Sequence, residues 1–404
     1  MQQLSQQISR LPQIPRAPRR PAPIDLGIRP RICVIKLATL GDLLLATPAL
    51  HALRDRYPEA TIDILTTPAS AELLRDSQLV RRIYTLDKYA FDTPRQLLKE
   101  LRPTFASSGL IARLRKEGYD AALFLHHLTL ARSRVKAWAL LRAIAAHRSF
   151  GLDNGWGRFL DVRVPDNGFG IRHEAEYALE IARAAGADVG HASHPLRAAD
   201  LGWYDLDDRT SRPGAGPPLV AVHPGSGSYS YARRWSAENY AELAAALHRE
   251  YGARILLVRG TEEQELEQKM RKTLFNPAWI ESSVGETFHL LARRLSECAL
   301  FVGNDSFPMH MAALVGIPTV GVFGPSNHQA WGPYRPDAPR EVYVVRRSDL
   351  ACSPCFYRGH SLGMPEGCPP RNCLTDLPVE RVLWPARRLL DRHGFHPATS
   401  ALRG

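Results

Sequence analysis

Along most of this chain, apolar runs of strand length alternate with segments whose apolar positions recur at helical spacing. Residues 31–37 form the first run, and residues 38–42 a tight loop around Gly41. Residues 43–57 read as a helix with Leu44, Leu45, Leu50, Leu53 and Tyr57 on one broad apolar side; Pro48 in its early turns marks a kink or a later start. Strands are expected at 61–66, 82–86 and 121–125, with a short helix at 69–75 and another through 111–116. Residues 128–146 read as a basic helix, 149–152 as a return to the sheet and 173–185 as a further helix. The polar, Gly- and Pro-rich stretch 200–218 is the best linker. The pattern then restarts: a strand at 219–223, a helix at 236–251 capped by Ser236, a strand at 254–258, and a loop and acidic helix over 260–273. A strand at 298–302 leads to a helix with the apolar face Met309, Ala312, Ala313 and Leu314, closed by Gly316 and Pro318. Strands at 319–324 and 342–345 and a final helix at 378–393 complete it. Such alternation predicts an α/β protein with two parallel sheets flanked by helices, and a ligand cleft at the carboxyl ends of the strands.

Composition changes this picture little. The 404 residues, 45% hydrophobic and 23% charged, suit a globular protein with more than one core. No apolar run reaches the length of a membrane helix, and the N-terminus lacks the apolar core of a signal peptide, so a cytoplasmic protein is expected. Charge matters more. Residues 1–31 carry six arginines against one aspartate, a net +5 of the chain's +11. With six prolines in the same stretch, residues 1–30 read as a disordered basic tail, either merely solvated or drawn to an anionic surface such as a membrane leaflet. Elsewhere bases and acids are interspersed without the basic–aromatic stripe of a nucleic-acid binder, so no nucleic-acid partner is expected.

Candidate chemistry sits where strands end. Gly303, Asn304, Asp305 and Ser306 lie between a strand and a helix, where backbone amides and the helix dipole suit a phosphate; the alternative is a plain cap by Asp305 or Ser306, with His310 an ordinary helix residue. Gly225 and Ser226, in a glycine-containing loop after the 219–223 strand, let backbone approach an anion, and Arg233 and Arg234 follow with permanent charge; the alternative is a surface turn with solvated arginines. Asp42 either caps a helix or faces a cleft and takes a proton from a hydroxyl. Glu262 and Glu263, after the 254–258 strand, either meet ribose hydroxyls or begin a solvated helix. Cys33 and Cys298 read as core thiols. Cys352, Cys355, Cys368 and Cys373 form C-x2-C-x12-C-x4-C, either a structural zinc or iron site or four reduced thiols. No His or carboxylate cluster suggests a catalytic metal.

Taken together, these motifs resemble glycosyltransferase family 9, the ADP-heptose:lipopolysaccharide heptosyltransferases. The resemblance rests on residues 31–36 with Leu40, Gly41, Asp42 and the stretch 46–50; on His223, Pro224, Gly225 and Ser226 with Arg233, Arg234 and Trp235; and on Gly303, Asn304, Asp305 and Ser306 with Pro308, Met309, His310 and the turn 323–325. It extends to the cysteine loop and covers about residues 31–390. It implies a GT-B fold, two Rossmann-like doubly wound domains facing across a cleft: an N-terminal acceptor-binding domain over 31–200, a linker at 201–217, a C-terminal sugar-nucleotide domain over 218–377 that includes the loop 352–373, and a last helix and tail at 378–404 that cross back to the first domain.

The activity so implied is inverting, metal-free transfer of a sugar, most readily heptose from ADP-heptose, to a lipopolysaccharide inner-core acceptor, with peripheral contact at the inner membrane. Asp42 would be the general base and Thr39 and Gly41 acceptor contacts. Gly225, Ser226, Arg233, Glu263, Asn304, Asp305, Ser306 and His310 would hold the donor, Glu263 at the ribose. Two departures stand out: Arg233 replaces the family's usual lysine, and Phe307 a frequent glycine beside the phosphate site. The wide cysteine spacing resembles relatives that glycosylate proteins and carry an iron-binding cysteine finger, which keeps a protein acceptor open. A sugar-nucleotide epimerase and a non-catalytic sugar-nucleotide-binding protein are the other readings.

Overall fold

The computed structural model describes residues 19–87, 109–190, 194–206, 216–227, 229–364 and 366–397. The expected tail up to residue 18, the middle of the expected linker at 207–215, and residues 398–404 lie outside these.

Two six-stranded parallel sheets form the frame. The first contains β1 (Arg31–Lys36), β2 (Thr61–Thr66), β3 (Arg82–Thr85), β4 (Ala121–Phe124), β5 (Arg148–Asp153) and β6 (Val162–Pro165), in the order β3-β2-β1-β4-β5-β6. The second contains β7 (Leu219–His223), β8 (Arg254–Arg259), β9 (Ile280–Val284), β10 (Leu300–Asn304), β11 (Thr319–Val322) and β12 (Val342–Val345), in the order β12-β11-β10-β7-β8-β9. Both repeat one topology: chain direction across the sheet reverses between β1 and β4, and again between β7 and β10. Those reversals splay the following loops apart and open a crevice at the strands' carboxyl ends. Registers such as Ile35 beside Phe124 and Gly303 beside His223 bring those ends level.

The central strands are buried on both faces, which is why they read as continuous apolar runs. One core cluster crosses the border between the two halves: it joins Ile32, Leu50 and Leu201 of the first to Phe301, Met309 and Leu314 of the second. Among the described residues no helix is long and apolar enough to cross a membrane.

Four sequence expectations are corrected. The helix expected over 43–57 is two helices, Leu40–Leu44 and Thr47–Arg56; Pro48 lies in the first turn of the second, where its missing N–H costs nothing. Residues 19–30 are not a free tail. Ile24 and Leu26 pack on the core, the Ile24 amide donates to the Ala184 carbonyl (2.9 Å), and Arg20 pairs with Glu180 (2.6 Å). Residues 201–206 are not open linker: short 3-10 turns bury Leu201, Trp203 and Leu206. The last helix, Val379–Arg392, does not cross back. It buries Val382, Leu383, Ala386 and Leu389 in the second sheet's core and pairs Arg387 with Glu250 (2.7 Å).

Candidate active site

The two crevices face each other and merge into one cleft of about 1150 Å³. That is ample for a sugar nucleotide together with part of a second substrate. Thr39, Gly41 and Asp42 line it from the first half, and Ser226, Arg233, Glu263, Asp305, Ser306 and His310 from the second. Gly225 and Asn304 lie beneath it. The four cysteines of the 352–373 loop lie outside its lining.

Asp42 sits in the short helix that follows β1. One carboxylate oxygen, Oδ2, accepts from the Thr39 hydroxyl (2.7 Å) and the Thr39 amide (3.3 Å). The other, Oδ1, accepts from the indole N–H of Trp331 in the opposite half (3.0 Å). Thr39 therefore braces the carboxylate. Burial pushes the Asp42 pKa up, but the nearby Lys36 ammonium and the Thr39 and Trp331 hydrogen bonds outweigh it and hold the carboxyl below its usual range. Lys36 is itself buried at the end of β1, where its Nζ donates to the Leu125 carbonyl (3.0 Å). Gly41 lets the halves approach closely here: a Cβ there would lie 3.0 Å from Cδ2 of His310.

Across the cleft, β10 runs into the helix Phe307–Val315. The plain-cap reading fails here. Ser306 occupies the cap position without a capping hydrogen bond, and its hydroxyl donates to the Asn304 carbonyl instead (3.0 Å). The positive end of this helix therefore meets the cleft without a side-chain acceptor. His310, one turn in, is buried, and its Nδ1 has no partner among the described residues. Burial drives its pKa down against the attraction of Asp305 and Asp42, so the ring is neutral near pH 7. Arg233 reaches over from the turn after β7: Nη1 donates to the Asp305 carbonyl (2.9 Å) and Nη2 to the Ser226 carbonyl (2.7 Å), while Nε is buried and unpartnered among the described residues. His223 Nε2 is a third buried polar atom on the same wall without a partner among the described residues. Phe307 lines the cleft and packs its ring edge-on against Phe288 (5.3 Å between centroids).

Asn304 and Glu263 hold neighbouring loops together. Asn304 is fully buried and spends its side chain on protein: Nδ2 donates to the Pro224 and Gly225 carbonyls, and Oδ1 accepts from the Trp235 amide and the Tyr240 hydroxyl. It locks the β7 loop to the β10 loop. Glu263 accepts from the Ser226 (3.0 Å), Gly227 (3.1 Å) and Gly260 (3.0 Å) amides. It is the floor of the glycine loop, and Gly225 must lack a side chain because a Cβ would collide with its carboxylate.

Sequence reasoning did not single out Lys36, Tyr229, Trp331 or Tyr357. Trp331 packs against Phe169 (5.3 Å) and Tyr357 (4.7 Å) in a three-ring cluster, and the Tyr357 hydroxyl meets that of Tyr229 (2.6 Å). Only Lys36 left a signal: a charged residue ending a buried apolar strand.

The cysteine loop does not form a ready metal centre. Among the described residues no three His, Cys, Asp or Glu side chains are grouped to hold an ion. The thiols are near one another nonetheless: burial first, then the other three thiols, push Cys373 up to about 11.

Known proteins resemble this chain in sequence and in fold. Lipooligosaccharide heptosyltransferase 2 of Campylobacter jejuni is 30% identical over 187 residues, covering 43% of this chain and 52% of that one, so the chain spans about half of that relative's length. Lipopolysaccharide heptosyltransferase 3 of Escherichia coli is 24% identical over 301 residues, 73% of this chain and 82% of that one. The solved structure of E. coli ADP-heptose LPS heptosyltransferase II superposes with a TM-score of 0.64 at 22% identity, covering 90% of this chain and 99% of that chain. The model of glycosyltransferase family 9 (heptosyltransferase) matches residues 108–364, more than half of the sequence. The chain belongs to glycosyltransferase family 9.

Proposed function

We propose that this glycosyltransferase moves a heptose from ADP-heptose to a hydroxyl of a lipopolysaccharide inner-core acceptor, with inversion at the anomeric carbon. The observation that carries this reading is the opposition across one cleft of an ionised carboxylate, Asp42, and an uncapped helix start flanked by Arg233 and His310. The acceptor oxygen attacks the anomeric carbon from the Asp42 side as Asp42 takes its proton. The bond to the diphosphate breaks, and its charge is met by the helix dipole and the Arg233 guanidinium. Every relative named above is a heptosyltransferase, and the solved one carries ADP-heptose in its name, which favours that donor. Asn304 and Glu263 act by shaping the loops that hold it.

The test is calorimetric titration with ADP, UDP and GDP. ADP binds selectively, and Arg233→Ala weakens it roughly ten- to hundredfold, the worth of a charge-assisted hydrogen bond. Preference for UDP or GDP would replace the donor.

A lipid-linked acceptor implies work at the cytoplasmic face of the inner membrane. Residues 109–165 support this with ten Lys and Arg against four acids. Their helix Ala131–Ile144 exposes Val135 and Trp138 beside Arg132 and Arg142. The cysteine loop is proposed as a structural zinc or iron site on its spacing alone, after rearrangement of the loop; no catalytic step uses it. Metal analysis of wild-type protein against Cys352→Ser/Cys355→Ser decides it: equal metal content in both would end the idea.

A further inference from the structure

Asp42 is held from both sides of the cleft. Thr39, its neighbour in the same loop, takes one carboxylate oxygen; Trp331, from the other half of the molecule, takes the second through its indole N–H (3.0 Å). An indole N–H donates and cannot accept. Its bond therefore survives only with an unprotonated oxygen and favours the form of Asp42 that can accept a proton. The indole is itself fixed. Its ring packs against both Phe169 of the first half and Tyr357 of the second, which also touch each other (5.2 Å between centroids). The turn that carries it is tied to the first half by Asn327, whose Nδ2 donates to the Phe169 carbonyl (3.1 Å). The next residue, Gly332, accepts from His173 Nε2 of the first half (3.0 Å). These contacts exist only while the halves are together, so the hydrogen bond to Asp42 is a product of closure.

We propose that Trp331 is a positioning residue whose indole N–H, delivered across the cleft, orients the Asp42 carboxylate and makes the base competent only when the two halves are closed. This rests on the reading of Asp42 as the base. The side chain touches no reacting atom; it acts through Asp42. Separation of the halves would then leave Asp42 held by Thr39 alone, which protects a bound donor from premature attack by water.

Trp331→Phe keeps an aromatic ring against Phe169 and Tyr357 and removes the N–H together with part of the indole's bulk. It should lower kcat roughly ten- to hundredfold, the worth of a hydrogen bond to a charged group, with the donor KM within about twofold. The acid limb of kcat/KM should move up by roughly one pH unit, because the carboxylate loses a donor that favours its ionised form. A loss of packing alone would leave that limb in place. Unchanged kcat and limb, or a faster variant, would overturn the proposal. Should Trp331→Phe fold poorly, the indole N–H resonance of isotope-labelled wild-type protein gives a second reading. It should move upfield in Asp42→Asn, and a resonance that stays put overturns the proposal. Asp42→Asn also separates the two claims. If it keeps full activity, the base assignment is wrong; if it is inactive while Trp331→Phe behaves as wild type, only the role of Trp331 falls.

Discussion

At the scale of single residues, Asp42 joins sequence, geometry and chemistry most directly. Its carboxyl is held below the usual range, so it is a carboxylate throughout the physiological pH window. Asp42→Asn keeps the size and removes the basicity; kcat should fall by about two to four orders of magnitude while ADP binding is unchanged, measured by steady-state transfer and calorimetry. His127 makes a different prediction. Buried in the first half, its Nδ1 meets Asp166 (2.9 Å) and its Nε2 meets Glu174 (2.9 Å). Burial opposes the charge, but the two carboxylates prevail and raise its pKa from 6.5 to about 9. A raised folded-state pKa gives stability that is complete below about 6.5 and is lost as pH rises toward 9. Thermal melts of the wild type should therefore fall across that window, and His127→Ala, which leaves buried Glu174 without this partner and Asp166 paired only with His360 among the described residues, should cost about 3 kcal/mol and flatten the dependence. The loop residues of the site were legible because each follows a recognisable strand directly. Trp331 was not: it lies 289 positions from Asp42, and only the folded chain brings them together. Asn304 and Glu263 were legible as site residues, but their partners are backbone groups of other loops, which spacing does not reveal.

At the scale of elements, the central strands were readable because burial on both faces makes them uniformly apolar. The edge strands β6 and β9 were missed. They are short and only partly buried, and β9, Ile280–Val284, sets three polar residues in a row, Glu281, Ser282 and Ser283, between its apolar ends, which reads as a loop. The apolar residues Ile24 and Leu26 were hidden in a Pro- and Arg-rich context whose composition argued for disorder. The helix Ala131–Ile144 was expected as a basic helix, and the structure shows which side it turns outward: Val135 and Trp138 are 62% and 47% exposed. Such a face suits an anionic bilayer. In co-sedimentation, the protein should bind phosphatidylglycerol-containing vesicles more than neutral ones, and Trp138→Ala with Arg142→Glu should reduce that binding severalfold with activity on a soluble acceptor retained. Equal binding by the double variant would move the membrane contact elsewhere.

At the scale of the whole molecule, two sheets of one topology supply opposite halves of the chemistry. The first presents a carboxylate and the second a helix start without a side-chain cap, and a core that crosses the border keeps them facing. Neither half alone contains both groups. The sequence indicated the two sheets through the restart of its pattern at residue 219. It did not indicate how many contacts tie the halves together, because those contacts, such as Asn327 to Phe169 and His360 to Asp166, join loops far apart in the chain. The proposed activity of this cleft is transfer of a heptose from an ADP-activated donor. Mass spectrometry of a heptose-deficient inner-core acceptor, incubated with the enzyme and ADP-heptose, tests it most directly. The acceptor should gain one heptosyl unit in step with release of ADP, and Asp42→Asn should abolish the gain. An acceptor left unchanged by ADP-heptose but extended from a UDP- or GDP-sugar would contradict it.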